Sequence, residues 1–238
     1  MKARLSMAFQ DLRGKDGNVV IKGSRNGLVL TPYVSPRNPR TGPQRAIRGY
    51  FRQSGKTFET MTVPQVEAWE DYAQTINIVD PITGKSYHPT AINAFVQLGV
   101  KFLQLNPSGT LPLTPPTSEF VGDTISVSVS SPSAGVIRFT GSGDNAAGVT
   151  TELLLQRLPS PHWKPSPLGY RHEKWYAFTS EEPTTDVSVT PGWYAAAYRF
   201  VKNSTGQATE LVSLPMQQVT LAVVEGGKVT SRQSKKAA

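Results

Sequence analysis

The apolar residues of this chain repeat with one period before residue 106 and with another after residue 117. Ala91, Phe95, Leu98, Phe102 and Leu105 stand at i, i+4, i+7, i+11 and i+14, the spacing of one helical face. Thr124–Ser130 instead alternates, with Ile125, Val127 and Val129 on one side and serines on the other, the period of a half-buried strand. Between them Pro107, Gly109, Pro112, Pro115 and Pro116 interrupt both patterns. Such a segment reads as a stiff linker with polyproline II character. The expected organisation is therefore an α+β domain over 1–106, a Pro-rich linker over 107–117, an all-β domain over 118–225 and a basic tail over 226–238.

In the first part, two short apolar runs within Asn18–Val34 flank Asn26-Gly27. That dipeptide suits a type I′ turn, whose two positions need φ > 0, so a hairpin is expected. Pro32, Pro36 and Pro39 lack an N–H and end the pairing, which leaves an extended arm over Val34–Arg40. Thr41 is placed to cap a helix over Pro43–Gln53. Thr62-Val-Pro-Gln65 has the form of a capping box, and Val66, Trp69, Ala73 and Ile76 follow at helical spacing. The third helix begins after Pro89-Thr90. A small core of Phe51, Trp69, Phe95 and Phe102 is expected among the three helices.

Beyond the linker, short runs rich in β-branched residues succeed one another, separated by Gly, Pro and Asn: 124–130, 136–140, 151–158, 174–179, 186–190, 193–201, 210–214 and 217–223. Seven or eight such strands in about a hundred residues, with no helical pattern between them, indicate a β-sandwich.

The net charge of +8 is unevenly spread. Residues 1–56 hold 12 Lys/Arg against 2 Asp/Glu, and residues 226–238 hold 4 against none. The two middle stretches, 57–106 and 107–225, are each net −3. An acidic partner is expected for the ends, either nucleic acid or protein. The sharpest feature is the set Arg37, Arg40, Arg45, Arg48 and Arg52, in which the last three share one side of the expected first helix. Guanidinium groups suit paired contacts to carboxylate or phosphate. The plainer alternative is a solvated face whose arms reach Glu67, Glu70 and Asp71. A second set is Trp163 and Tyr170 in the long, proline-rich stretch Pro159–Glu173, which could offer aromatic contact to a neighbouring subunit or a sugar, or pack back on the sandwich.

Other chemistry finds no support. The chain has no cysteine, which removes disulfides, thiol catalysis and thiolate metal sites. His88, His162 and His172 are far apart and fit no metal-ligand spacing. No G-x-S-x-G occurs, Gly141–Gly148 lacks the Lys-Ser/Thr of a phosphate loop, and the adjacent Glu181 and Glu182 would point to opposite faces of a strand. No catalytic residue, metal or cofactor is expected. No apolar run approaches the roughly 18 residues that span a bilayer, and the reading is of a soluble protein made in the cytoplasm, with no membrane partner.

Two resemblances add to this. The run Val189-Thr-Pro-Gly-Trp-Tyr-Ala-Ala-Ala-Tyr-Arg-Phe-Val-Lys-Asn-Ser-Thr-Gly206 resembles the end of a fibronectin type III domain, with a Pro-Gly turn, an early tyrosine and an Asn-x-x-Gly turn at Asn203 and Gly206. Tyr194 stands one place earlier than the usual corner tyrosine. This implies an immunoglobulin-like sandwich and says nothing of function. Residues 36–72, with Asn38-Pro-Arg-Thr41, Gln44, Arg48, Phe51, Met61-Thr62, Gln65, Ala68-Trp69 and Tyr72, resemble a family of small proteins encoded by tailed bacteriophages and prophages, and Gly84-Lys-Ser-Tyr87-His-Pro89-Thr90 fits the same family. The resemblance implies a virion protein made in the bacterial host cytoplasm, in symmetric copies beside capsid, neck or tail proteins. A capsid-associated part, of minor capsid or decoration type, is the first expectation. Nucleic-acid binding by 1–56 and the tail, a neck or tail component, and a carbohydrate-binding module are the alternatives.

Overall fold

A computed structural model describes residues 2–3, 14–24, 27–35, 38, 40–79, 84 and 86–220. Arg37, the Asn26 turn position and the tail lie outside them. By contact the chain falls into two compact units, 1–45 and 46–238.

The smaller unit carries an antiparallel sheet of β1 (Lys2–Ala3), β2 (Gly14–Asp16), β3 (Val19–Ser24) and β4 (Gly27–Pro32), in the order β1-β4-β3-β2. The expected hairpin is β3–β4, in register from Val19↔Pro32 to Ser24↔Gly27. Gly27 therefore belongs to the strand rather than to the turn. Pro32 closes β4, as its missing N–H requires.

The larger unit contains the helices and two further packed sheets. The first helix, α1 (Gly42–Glu59), runs six residues beyond its expected end. Its inward line is Ile47, Tyr50, Ser54 and Phe58, and only Ser54 is fully buried. Phe51 falls beside that line and stays 53% exposed, so it is not the core residue expected from the sequence. The second helix, α2 (Val63–Thr75), opens with the expected capping contact, in which the Thr62 N–H donates to Gln65 Oε1 at 2.9 Å. A short ladder, β5 (Ile78–Val79) with β6 (Ser86–Tyr87), leads to α3 (Ala91–Leu105). Trp69 meets Phe95 edge-on, with ring centroids 5.1 Å apart, and Ala73, Ala94, Leu98 and Leu103 complete a buried helical core. Gly99 lets α1 approach α3. A Cβ there would stand 2.9 Å from Ser54 Oγ.

The remaining strands are β7 (Val127–Ser130), β8 (Val136–Gly141), β9 (Val149–Leu158), β10 (Arg171–Tyr176), β11 (Thr184–Ser188), β12 (Gly192–Lys202), β13 (Val212–Ser213) and β14 (Gln217–Val219). They form one sheet in the order β11-β8-β7 and another in the order β10-β9-β12-β13, with β14 also on β12. Ile137 and Phe139 of β8, Val187 of β11, Leu153 and Leu155 of β9, and Tyr194, Ala196, Tyr198 and Phe200 of β12 share one buried cluster. The two sheets thus pack face to face as a sandwich. Tyr194 Oη donates to the Thr190 carbonyl at 2.7 Å, which ties the start of β12 to the turn before it.

The segment 107–117 is not a free spacer. Leu111 is buried in the helical core, and the Trp69 indole N–H donates to the Leu113 carbonyl at 2.9 Å. The prolines stiffen this segment without detaching it, because the Leu111 side chain and the Leu113 carbonyl engage the helices. One compact unit consequently runs from the helices through this stretch into the sandwich.

Candidate functional site

The arginines expected to bind a partner reach solvent. Arg45, Arg48 and Arg52 are exposed on α1, and Lys56 continues their row at the next helical interval. Among the described residues none of the four forms an ion pair with Glu67, Glu70 or Asp71, which are themselves exposed on α2. Arg40, also exposed, has φ 49°, a left-handed conformation that is uncommon outside glycine.

The aromatic pair is divided. Trp163 is 57% exposed, whereas Tyr170 is half-buried and its hydroxyl is enclosed without a hydrogen-bond partner among the described residues. The stretch between them turns back on β9, where the Ser166 N–H donates to Gln156 Oε1 at 3.0 Å. Packing and display therefore coexist in one loop.

A polar cluster that the sequence did not single out lies on the outer face of the β9–β12 sheet. Glu152 is 1% exposed. It alternates with Leu153 and Thr151, which face the sandwich interior, and so points away from it. The strand register sets Trp175 of β10 and Arg199 of β12 on either side of it. Lys101 reaches over from α3 and donates to both Glu152 oxygens at 2.8 Å, while Arg199 Nε donates to Oε2. His172 Nδ1 stands 3.3 Å from Oε1 and its ring lies 4.7 Å from that of Trp175. Burial alone would raise the Glu152 pKa. Hydrogen bonds from His172 and Arg199, with the charges of Lys101 and Arg199, outweigh it and hold the carboxyl at about 2. Burial and the neighbouring Arg199 lower the Lys101 pKa against the pull of Glu152. His172, carried by β10, thus stands against the Glu152 carboxylate. The signal available was a single charge inside each of three apolar runs, at Lys101, Glu152 and Arg199.

An open groove of about 1030 Å³ borders this region, with Phe51, Tyr72, Val96, Lys101, Glu119 and Gln207 in its walls. Among the described residues no group of three or more His, Asp or Glu side chains is placed to hold a metal ion, and no helix is long and apolar enough to cross a membrane.

No family model matches the chain. No curated protein matches it either. Among solved structures, the fn3 domain of human contactin 1 aligns with 52% of this chain and 97% of its own, at 11% identity and a TM-score of 0.30.

Proposed function

We propose that this chain is a non-enzymatic structural protein of a bacteriophage virion, capsid-associated as a minor capsid or decoration component. Its cationic N-terminal segment is the anchor, and its immunoglobulin-like sandwich packs between subunits or projects from the particle. The observation that carries this reading is the row Arg45, Arg48 and Arg52, displayed on α1 with no carboxylate partner among the described residues. Unpaired guanidinium groups in a row suit an acidic protein surface that repeats by symmetry. The phage-like pattern over residues 36–72 supplies the context. Mass spectrometry of purified particles tests it. The chain should be present at a fixed ratio to the major capsid protein, and its absence from particles defeats the reading.

The same row favours one alternative, nucleic acid. Phosphate contacts would make retention in a filter-binding assay fall steeply between two salt concentrations. Weak and salt-indifferent retention counts against it.

A further inference from the structure

We infer that the cationic face of α1 docks on the acidic face of α2 in a second copy of this chain, an inference that rests on the reading of the α1 face as an anchor. Arg45, Arg48, Arg52 and Lys56 succeed one another at spacings of three, four and four on the side of α1 opposite Ile47, Tyr50, Ser54 and Phe58. At 1.5 Å per residue the row is about 16 Å long. On α2, Glu67, Glu70 and Asp71 are exposed on the side opposite Trp69 and Ala73. That helix carries three carboxylates and no Lys or Arg, while α1 carries four cations against the single carboxylate of Glu59. The two faces are opposite in sign and close in number, four cations against three carboxylates.

They cannot satisfy each other within one chain. Each points away from the buried residues of its own helix, so turning either toward the other would expose Ser54 or Trp69. Among the described residues, none of these seven side chains forms an ion pair. Val63, 70% exposed, shares the acidic side with Glu67 and Glu70. Buried between two copies, it would help exclude water from the charge pairs and strengthen them. Every copy carries both faces, so the contact repeats and yields a closed assembly or a row of subunits.

Light scattering on the full chain at low and high salt tests this, with the double variants Arg48→Glu/Arg52→Glu and Glu67→Lys/Glu70→Lys. Circular dichroism would confirm that each variant keeps its fold. The wild-type chain should associate at low salt and dissociate at high salt. Each reversal alone should weaken association on the order of tenfold or more. An equimolar mixture of the two variants should restore it, because each then presents the charge that the other lacks. A wild-type chain that stays monomeric at low salt, a variant that associates like wild type, or a mixture that does not recover overturns the inference. A monomeric wild type that is nonetheless found in virions removes this contact and leaves the anchor reading standing. Salt-sensitive association with recovery in the mixture, for a chain absent from virions, upholds the contact and removes the virion reading.

Discussion

Lys101 Nζ lies 2.8 Å from both carboxylate oxygens of Glu152, and this pair fastens α3 to the outer face of the β9–β12 sheet. Glu152 is 1% exposed and also receives Arg199, so one buried carboxylate answers two cations from different elements. Glu152→Gln leaves both cations without a counter-charge. Removing one member of a buried ion pair costs about 3–5 kcal/mol. Urea unfolding of the variant should show a loss of that size, and a midpoint equal to wild type would mean that the cluster holds nothing together.

The same carboxyl makes stability depend on acid. Its pKa in the folded chain is about 2 against an ordinary 4.5. A depressed folded value means that ionisation stabilises fully above pH 4.5 and that this contribution fades as pH falls toward 2. The span corresponds to roughly 3 kcal/mol. Stability of the wild type should fall through that window, and the Glu152→Gln variant should show a flatter profile there.

Gly206 sits in the turn after β12 with φ 75°, where an added Cβ would strike the Leu98 carbonyl and the Phe102 N of α3. Both backbone strain and steric overlap oppose a side chain. Gly206→Ala should cost about 2–5 kcal/mol. Gly135 has a similar φ of 73° but its added Cβ would come no nearer than 3.5 Å to the Val189 carbonyl. Gly135→Ala should therefore cost only the conformational part, about 1–2 kcal/mol. Thermal unfolding of the two variants separates the contributions, and equal losses would contradict a close approach of the turn to α3.

Ser54 is fully buried where α1 meets α3, and its hydroxyl has no hydrogen-bond partner among the described residues. Desolvating an unpaired hydroxyl costs about 1–3 kcal/mol, and alanine is the better helix former. Ser54→Ala should be neutral or stabilising by about 1 kcal/mol in denaturant unfolding. A clear loss would show that the hydroxyl is satisfied by a bound water.

Much of the fold could be read in the sequence because it depends on neighbours. The helical period around Phe95, the Thr62–Gln65 cap and the alternation around Val127 each rest on contacts within a few residues. The place of Leu111 was not legible, since the prolines around it signal stiffness without saying what a leucine between them packs against. Glu152 escaped notice for a different reason. Its partners lie 51 and 47 residues away, at Lys101 and Arg199, and only the packing of α3 on the sheet unites them. Leu154 is buried on that same outer face, which is why β9 shows no alternation that would mark Glu152 as unusual. The α1 arginines were legible because spacing alone defines one side of a helix.

The account turns on the cationic face of α1 as the anchor, and incorporation into particles measures it most directly. Arg45, Arg48 and Arg52 changed together to glutamine keep helix propensity and remove three exposed charges. Wild type and triple variant, expressed at equal levels in phage-producing cells, would be quantified in purified virions by mass spectrometry. The account predicts wild type in the particles and the variant strongly depleted, with both chains equally folded. A triple variant incorporated as fully as the wild type would contradict it.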